Sequence, residues 1–128
     1  MRETIKTPNA PAAIGPYSQG IKTSADKMIF TAGQIALDPA TGRLIEGDIA
    51  AQTRRALDNI KAILSTVGAS LENVVKTTVF MADLGEFAAM NEVYSTYFSA
   101  NPPARSTVEV KALPRSAKVE IEAIAVVQ

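Results

Sequence analysis

Residues 102–110 read PPARSTVEV and residues 118–122 read KVEIE, an alternation that is typical of two short β-strands. These strands carry Arg105 and Glu120. The planar fork of an arginine can hold both oxygens of a small carboxylate, and a glutamate near it could orient or activate a water molecule. From spacing alone, an ion pair between strands on a solvated sheet face is the simpler interpretation, because exposed charge pairs are common.

Two helices are predicted upstream of these strands. Asp48 is suited to cap the first helix, apolar residues recur at helical spacing over residues 49–67, and Gly68 is suited to end it. The second helix is predicted to begin with a capping box formed by Asp83 and Glu86. Its main stripe consists of Phe87, Asn91, Tyr94 and Phe98.

Further strands are predicted on both sides of the first helix. The predicted strands cover residues 17–23, 27–34, 73–81, 104–110 and 118–127, with a short hairpin of residues 35–37 and 44–45. Pro39 and Gly42 form the turn of that hairpin, because proline fixes one φ and glycine permits a positive one. The order of strands and helices indicates an α+β fold with two helices on one face of a mixed sheet.

The alternation of side chains divides the later strands into two faces. One set is almost entirely apolar and is expected to contact the helices: Val75, Thr77, Val79, Met81, Val108, Val110, Val119, Ile121, Ala123, Ala125 and Val127. The other set is mixed: Lys76, Thr78, Phe80, Arg105, Thr107, Glu109, Glu120, Glu122, Ile124 and Val126. A mixed face is too apolar for simple exposure to water, so contact with another subunit is expected, with polar groups lining clefts between chains.

The composition is that of a globular protein and excludes several kinds of site. The chain has 128 residues, 47% apolar and 20% charged, so one domain covering residues 1–128 is expected. The 13 basic and 13 acidic residues give zero net charge, so a nucleic-acid partner is not expected. Cysteine and histidine are absent, which excludes a thiol nucleophile, a Ser-His triad and zinc sites that contain histidine.

Nothing in the sequence indicates a membrane protein. No apolar run approaches the length of a membrane span. The first residues, MRETIK, lack an apolar signal core. A cytoplasmic location is therefore expected.

Several motifs together resemble one known family. They are GPYSQ at residues 15–19, FTAGQI at 30–35, KTTVF at 76–80 and NEVY at 91–94, followed by the two C-terminal strands. In this order they resemble the reactive-intermediate deaminase family (RidA/YjgF). The resemblance implies a chorismate-mutase-like α+β fold of the bacillus type, with two helices packed on one face of a mixed six-stranded sheet, and assembly as a homotrimer.

The resemblance also implies the roles of five residues. Arg105 matches the arginine that holds the substrate carboxylate, and Glu120 matches a glutamate placed beside a water molecule, so both are expected to be catalytic. Tyr17, Gly33 and Thr107 are expected to bind substrate together with Arg105. Tyr17 matches an aromatic residue that reaches the cleft from a neighbouring chain, Gly33 allows close approach of backbone, and Thr107 stands where many relatives carry cysteine. The alternatives are a packing role for Tyr17, a tight turn for Gly33 and an ion pair of Glu120 with a strand lysine.

Asn91 interrupts the apolar stripe of the second helix. A buried amide must find hydrogen-bond partners. We predict a structural role, in which Asn91 ties the helix to nearby backbone, over direct contact with a ligand.

The resemblance implies the hydrolysis of 2-iminobutanoate and 2-iminopropanoate to 2-oxobutanoate and pyruvate, with release of ammonia. No cofactor and no metal are expected, because an imine is already electrophilic. Pyridoxal-phosphate-dependent dehydratases that act on serine and threonine produce such imines, which implies a functional link to them. Two alternatives stay open: a non-catalytic regulator that binds a metabolite through Arg105, and an endoribonuclease or translation inhibitor, as described for some relatives.

Overall fold

The computed structural model describes residues 2–128 and contains six strands and two helices. The strands are β1 (Arg2–Ile5), β2 (Gly20–Thr23), β3 (Lys27–Phe30), β4 (Val74–Met81), β5 (Ala104–Glu109) and β6 (Val119–Val127). The helices are α1 (Ile49–Thr66) and α2 (Phe87–Tyr97). The predicted order of helices and strands is confirmed, although the strands predicted over residues 17–23 and 27–34 are shorter than expected.

Helix α1 begins and ends as the sequence predicts. The side chain of Asp48 accepts a hydrogen bond from the backbone N–H of Ala51 at 3.0 Å, which satisfies one of the free N–H groups of the first turn. After Val67 the chain turns at Gly68, whose φ of +76° lies in the left-handed region that favours glycine. The buried side chains of α1 include Leu57, Ile60 and Leu64, which are completely inaccessible to solvent.

The start of α2 differs from the prediction. Asp83 caps a single turn of 3₁₀ helix over Leu84–Glu86, with its carboxylate accepting from the N–H of Gly85 at 2.8 Å. The α-helix proper follows at Phe87, and its N-cap residue Glu86 makes no capping hydrogen bond with its side chain. The predicted capping box is therefore wrong, because the tighter 3₁₀ turn uses Asp83 before the α-helix starts.

The six strands form two ladders rather than one continuous sheet. Four strands have the order β3-β6-β4-β5, in which only the β4–β5 pair is parallel. Strands β1 and β2 form a separate antiparallel pair. A bridge joins Ser18, two residues before β2, to Ala104, the first residue of β5. The α+β fold with two helices on one face of a mixed sheet is confirmed.

The register shows which residues share a face of the sheet. Thr77, Val79 and Met81 are buried in the core on the helix side and lie beside Arg105, Thr107 and Glu109. Arg105 and Thr107 therefore lie on the helix face, and their predicted place on the mixed face is wrong. The pairing of β5 with the parallel strand β4 determines which residues of β5 face the helices. The alternation of side chains within β5 does not show which of its two faces that is. A register shift between Val74 and Lys76 likewise places Val74, rather than the predicted Val75, in the core.

The opposite face of the sheet, here called the open face, carries mixed side chains as predicted for β4 and β6. It includes Met28, Phe30, Thr78, Phe80, Ser106, Val108, Glu120, Glu122 and Ile124. Phe30 is 66% exposed and Met28 is 55% exposed. In the described part of the chain, no helix has the length and apolar character needed to cross a membrane.

Candidate functional site

Arg105 projects from β5 into a cluster of aromatic side chains under α2. Its Nη1 donates a hydrogen bond to Oδ1 of Asn91 at 2.6 Å. The guanidinium carbon lies 4.8 Å from the ring centroid of Tyr94, 5.4 Å from that of Phe87 and 5.5 Å from that of Tyr17. Aromatic faces at these distances attract a cation. The rings therefore hold the guanidinium in place without neutralising its charge.

The charge of Arg105 has no acidic counterpart in the part of the chain that the structure describes. Within residues 2–128 its guanidinium forms no ion pair, so the predicted alternative of an interstrand ion pair is wrong. Desolvation lowers the pKa of Arg105, while the nearby phenols of Tyr94 and Tyr17 act in the opposite direction. The group still remains protonated. A half-buried cation with unused N–H donors is suited to bind a carboxylate with both oxygens.

Tyr94 and Thr77 form a neutral hydrogen-bonded pair at the base of this aromatic cluster. Tyr94 is completely buried, and its hydroxyl lies 2.7 Å from Oγ1 of Thr77. Burial raises the pKa of Tyr94 to about 12, although the hydrogen bond to Thr77 and the charge of Arg105 act against this rise. Tyr94 is therefore an uncharged phenol at neutral pH and supplies packing and a ring face to Arg105.

Asn91 belongs to the site. The prediction that it ties α2 to backbone is wrong, because its amide oxygen accepts from Arg105. Phe87, Asn91 and Tyr94 lie at helical spacing and face the same guanidinium. The sequence showed a single amide within the apolar stripe of α2. It could not identify the partner of that amide, because the partner lies 14 residues away on β5.

Thr107 lies two residues after Arg105 on the same face of β5. Its Oγ1 is buried and has no hydrogen-bond partner in the described residues. Buried hydroxyls normally find a partner. The hydroxyl of Thr107 is therefore a buried polar group that the described residues leave without a hydrogen bond.

Glu120 and Gly33 form a second group, on the open face. Glu120 lies beside Phe80 in the register of β4 and β6. A Cβ atom added to Gly33 would lie 2.7 Å from Cδ of Glu120, so a larger residue at position 33 would displace this carboxylate. Hydrogen bonds in both directions between Gln34 and Ile121, at 2.8 and 3.0 Å, hold the two segments together.

The carboxylate of Glu120 is half-buried and makes no polar contact with the described residues. Among residues 2–128 it has no hydrogen-bond or ion-pair partner. Of the two lysines considered as partners, Lys76 donates from Nζ to Ser106 at 3.1 Å, and within residues 2–128 neither lysine forms an ion pair with Glu120. The alternative of a strand ion pair for Glu120 is therefore wrong.

The structure separates the predicted site residues into two groups. Tyr17, Arg105 and Thr107 are on the helix side of the sheet, whereas Gly33 and Glu120 are on the open face. Tyr17 contacts the Arg105 of its own chain, and its expected place in a cleft between chains stays a prediction. The two expected catalytic residues are thus on opposite faces of one sheet.

A cavity lies beside the Arg105 group. It is a groove of about 750 Å³ lined by the N-terminal segment, and Tyr17 is the one residue of the predicted site that lines it. Residues 2–128 also contain no cluster of acidic side chains that could hold a metal ion. The chemistry that this chain offers at its site is that of an unpaired cation, a free hydroxyl and a separate carboxylate.

Comparisons with known proteins agree with the motifs. The model of the endoribonuclease L-PSP family matches residues 7–127. Protein DfrA of Myxococcus xanthus is 54% identical over 98% of this chain and 95% of its own length. The 2-iminobutanoate/2-iminopropanoate deaminase of Escherichia coli K12 is 52% identical over 98% of both chains. The crystal structure of E. coli TdcF with bound serine is 46% identical, covers 98% of this chain and 99% of its own, and superposes with a TM-score of 0.75.

These similarities cover almost the whole length of the chain and of its relatives. The matched region includes the strand of Arg105, the strand of Glu120 and helix α2. The chain therefore belongs to the endoribonuclease L-PSP family, which is the YjgF/RidA family that its motifs resemble.

Proposed function

We propose that this protein is a hydrolytic deaminase of small, reactive 2-imino acids. The observation that carries the proposal is the unpaired, half-buried guanidinium of Arg105, enclosed by three aromatic rings. The substrates that fit are 2-iminobutanoate and 2-iminopropanoate, since each has one carboxylate beside a planar C=N group. The name of the E. coli relative supports this substrate class, and the serine bound to TdcF supports a site for small amino-acid-like molecules.

The reaction adds water to the imine carbon. Arg105 binds the carboxylate and fixes the orientation of the planar substrate. One proton of the attacking water is transferred through Glu120 and reaches the nitrogen, which gives a carbinolamine. The remaining proton of the former water, now on the hydroxyl group, is then transferred to the nitrogen as the C–N bond breaks, so that ammonia leaves and the oxygen becomes the keto oxygen. Thr107 offers its hydroxyl to the substrate or to the water.

This mechanism requires Arg105 and Glu120 in one pocket, and we propose that assembly brings them together. The open face exposes Phe30 and Met28 and carries the free carboxylate of Glu120. A neighbouring copy that covers this face would place its own Arg105 group near Glu120. Three copies in a closed ring would give each Glu120 an Arg105 partner.

The assembly proposal predicts a trimer in solution. Sedimentation at micromolar protein should give about three times the mass of the chain, and Phe30→Glu should give monomers because a charge would be buried in the interface. Val67→Glu is the matched control, because Val67 is 61% exposed and Phe30 is 66% exposed. Val67 lies at the end of α1, away from the open face. A monomeric wild-type protein would contradict both the ring and the shared pocket.

The activity itself is tested in a coupled reaction. A pyridoxal-phosphate-dependent threonine dehydratase releases 2-iminobutanoate, and adding this protein should increase the rate of ammonia release without any added metal. A chelator should leave that increase unchanged. If the purified protein cleaves RNA and leaves ammonia release at the uncatalysed rate, the deaminase proposal is wrong.

A metabolite-binding regulator is the second candidate. Anchoring a carboxylate needs Arg105 and its aromatic cluster but no chemical step. Binding of 2-oxobutanoate without any effect on imine hydrolysis would favour this candidate.

A further inference from the structure

The groove under the N-terminal segment borders the Arg105 group and shares Tyr17 with it. One wall is formed by residues 4–6 of β1 and its continuation, another by the loop up to Ala13, and the floor by residues 17–19 and Pro102. Its volume of about 750 Å³ falls within the range of small-molecule sites. It is also several times larger than the hollow of about 160 Å³ on the open face.

The lining of the groove indicates a ligand of defined chemistry. Half of its twelve described lining residues are aliphatic or proline: Ile5, Pro8, Ala10, Ala12, Ala13 and Pro102. Lys6 is the only charged residue that lines it, and no acidic residue does. An aliphatic body with one anionic group matches this lining, because the body is removed from water and the charge meets a lysine.

The groove is held open by one side chain. Oε1 of Gln19 accepts from the N–H of Thr7 at 2.8 Å, and Nε2 lies within 3.2 Å of the carbonyl oxygens of Thr7, Ala10 and Pro11. Two prolines, Pro8 and Pro11, further restrict the loop. The wall is therefore ordered before any ligand arrives, which reduces the entropy lost on binding.

The floor of the groove connects to Arg105. The ring of Tyr17 lines the groove and also lies 5.5 Å from the guanidinium carbon of Arg105. Its hydroxyl accepts from the N–H of Ile14 in the loop at 3.3 Å. The next residue, Ser18, donates its N–H to the carbonyl of Pro103 at 3.1 Å, two residues before Arg105. A ligand in the groove would thus contact the same ring that packs against the guanidinium.

We propose that this groove binds a small, mainly aliphatic molecule with one anionic group, and that its occupancy changes the affinity of the Arg105 site through Tyr17. The proposed binding site depends only on the groove and does not depend on the proposed function. The coupling rests on the proposed function, since it requires that Arg105 bind a keto acid or imino acid.

Octanoate is the probe for the binding site, and octanol is its neutral counterpart. Isothermal titration calorimetry of the wild-type protein should show one octanoate per chain. Ala12→Trp fills the groove and should weaken octanoate at least about tenfold, whereas Ala62→Trp, on the exposed face of α1, should have no effect. Lys6→Gln should weaken octanoate about two- to fivefold and leave octanol unchanged, as expected for one exposed charge pair.

Arg105→Ala distinguishes this site from the proposed active site. This variant should lose 2-oxobutanoate binding and keep octanoate binding. In the wild type, saturating octanoate should change the affinity for 2-oxobutanoate at least about twofold, and 2-oxobutanoate should change octanoate affinity by the same factor.

Four results would overturn the proposal. The site is refuted if octanoate does not bind to the wild-type protein. It is also refuted if octanoate binding is lost in Arg105→Ala and kept in Ala12→Trp. Dissociation of the oligomer by Ala12→Trp would identify the groove as a contact between copies. Unchanged 2-oxobutanoate affinity in the presence of bound octanoate would refute the coupling. Absence of imine hydrolysis, in contrast, would refute only the proposed function.

Discussion

Replacing Arg105 by alanine is expected to lower kcat/KM for 2-iminobutanoate at least about a hundredfold. A charge-assisted hydrogen bond contributes on the order of 1.5–3 kcal/mol, and a bidentate pair somewhat more. Loss of about 3 kcal/mol from the transition state corresponds to roughly a hundredfold in rate. Binding of the inert product 2-oxobutanoate should also be lost, because it depends on the same fork. Steady-state kinetics and calorimetry measure the two effects.

Two further variants make this prediction specific. Arg105→Lys should recover little activity, because a point charge cannot hold both carboxylate oxygens. Arg43→Ala removes a positive charge from an exposed residue that precedes α1, and this variant should keep full activity. If Arg105→Ala retains more than about a tenth of the wild-type kcat/KM and remains folded, the carboxylate is bound elsewhere.

The sequence was sufficient to predict the elements of the fold. Local signals determine where α1 begins and ends, since Asp48 caps the helix and Gly68 adopts the positive φ that ends it. The β-branched run of β4 and the alternation of β6 are equally local. Each of these features depends on residues close in sequence, so periodicity and capping chemistry could identify them.

The placement of Arg105 could not be predicted in the same way. Alternation within β5 separates Arg105 from Ser106 but does not say which of the two faces the helices. That choice depends on the pairing of Arg105 with Thr77 on the parallel strand β4. Parallel pairing between segments far apart in sequence leaves no local pattern. The contact with Asn91 was missed for the same reason, as it joins a helix to a strand.

The contact between Gly33 and Glu120 is another feature that requires the structure. The sequence indicated a glycine suited to close approach, and the structure identifies the approaching group as the carboxylate of Glu120. This contact restricts how Glu120 can be tested. A glutamine has nearly the same shape and fits beside Gly33, whereas a larger side chain at either position would disturb the strand pairing.

Glu120→Gln is expected to lower kcat by at least about a hundredfold, the lower end of the range for general acid–base catalysis. The variant keeps size and some hydrogen bonding but removes the group that accepts a proton from water. Binding of 2-oxobutanoate should stay within about twofold of wild type, because Glu120 acts on the water and not on the carboxylate. The comparison of kcat with product affinity therefore separates the role of Glu120 from that of Arg105.

Glu122→Gln is the matched control for this variant. Glu122 lies on the same strand and the same open face as Glu120, beside Thr78, and its side chain is exposed. The control loses the same charge and should keep its activity and its oligomeric state. If Glu120→Gln instead keeps wild-type kcat, the free carboxylate on the open face has no catalytic role. The water would then have to be oriented on the Arg105 side of the sheet, where Tyr17 and the unpaired hydroxyl of Thr107 are the available polar groups.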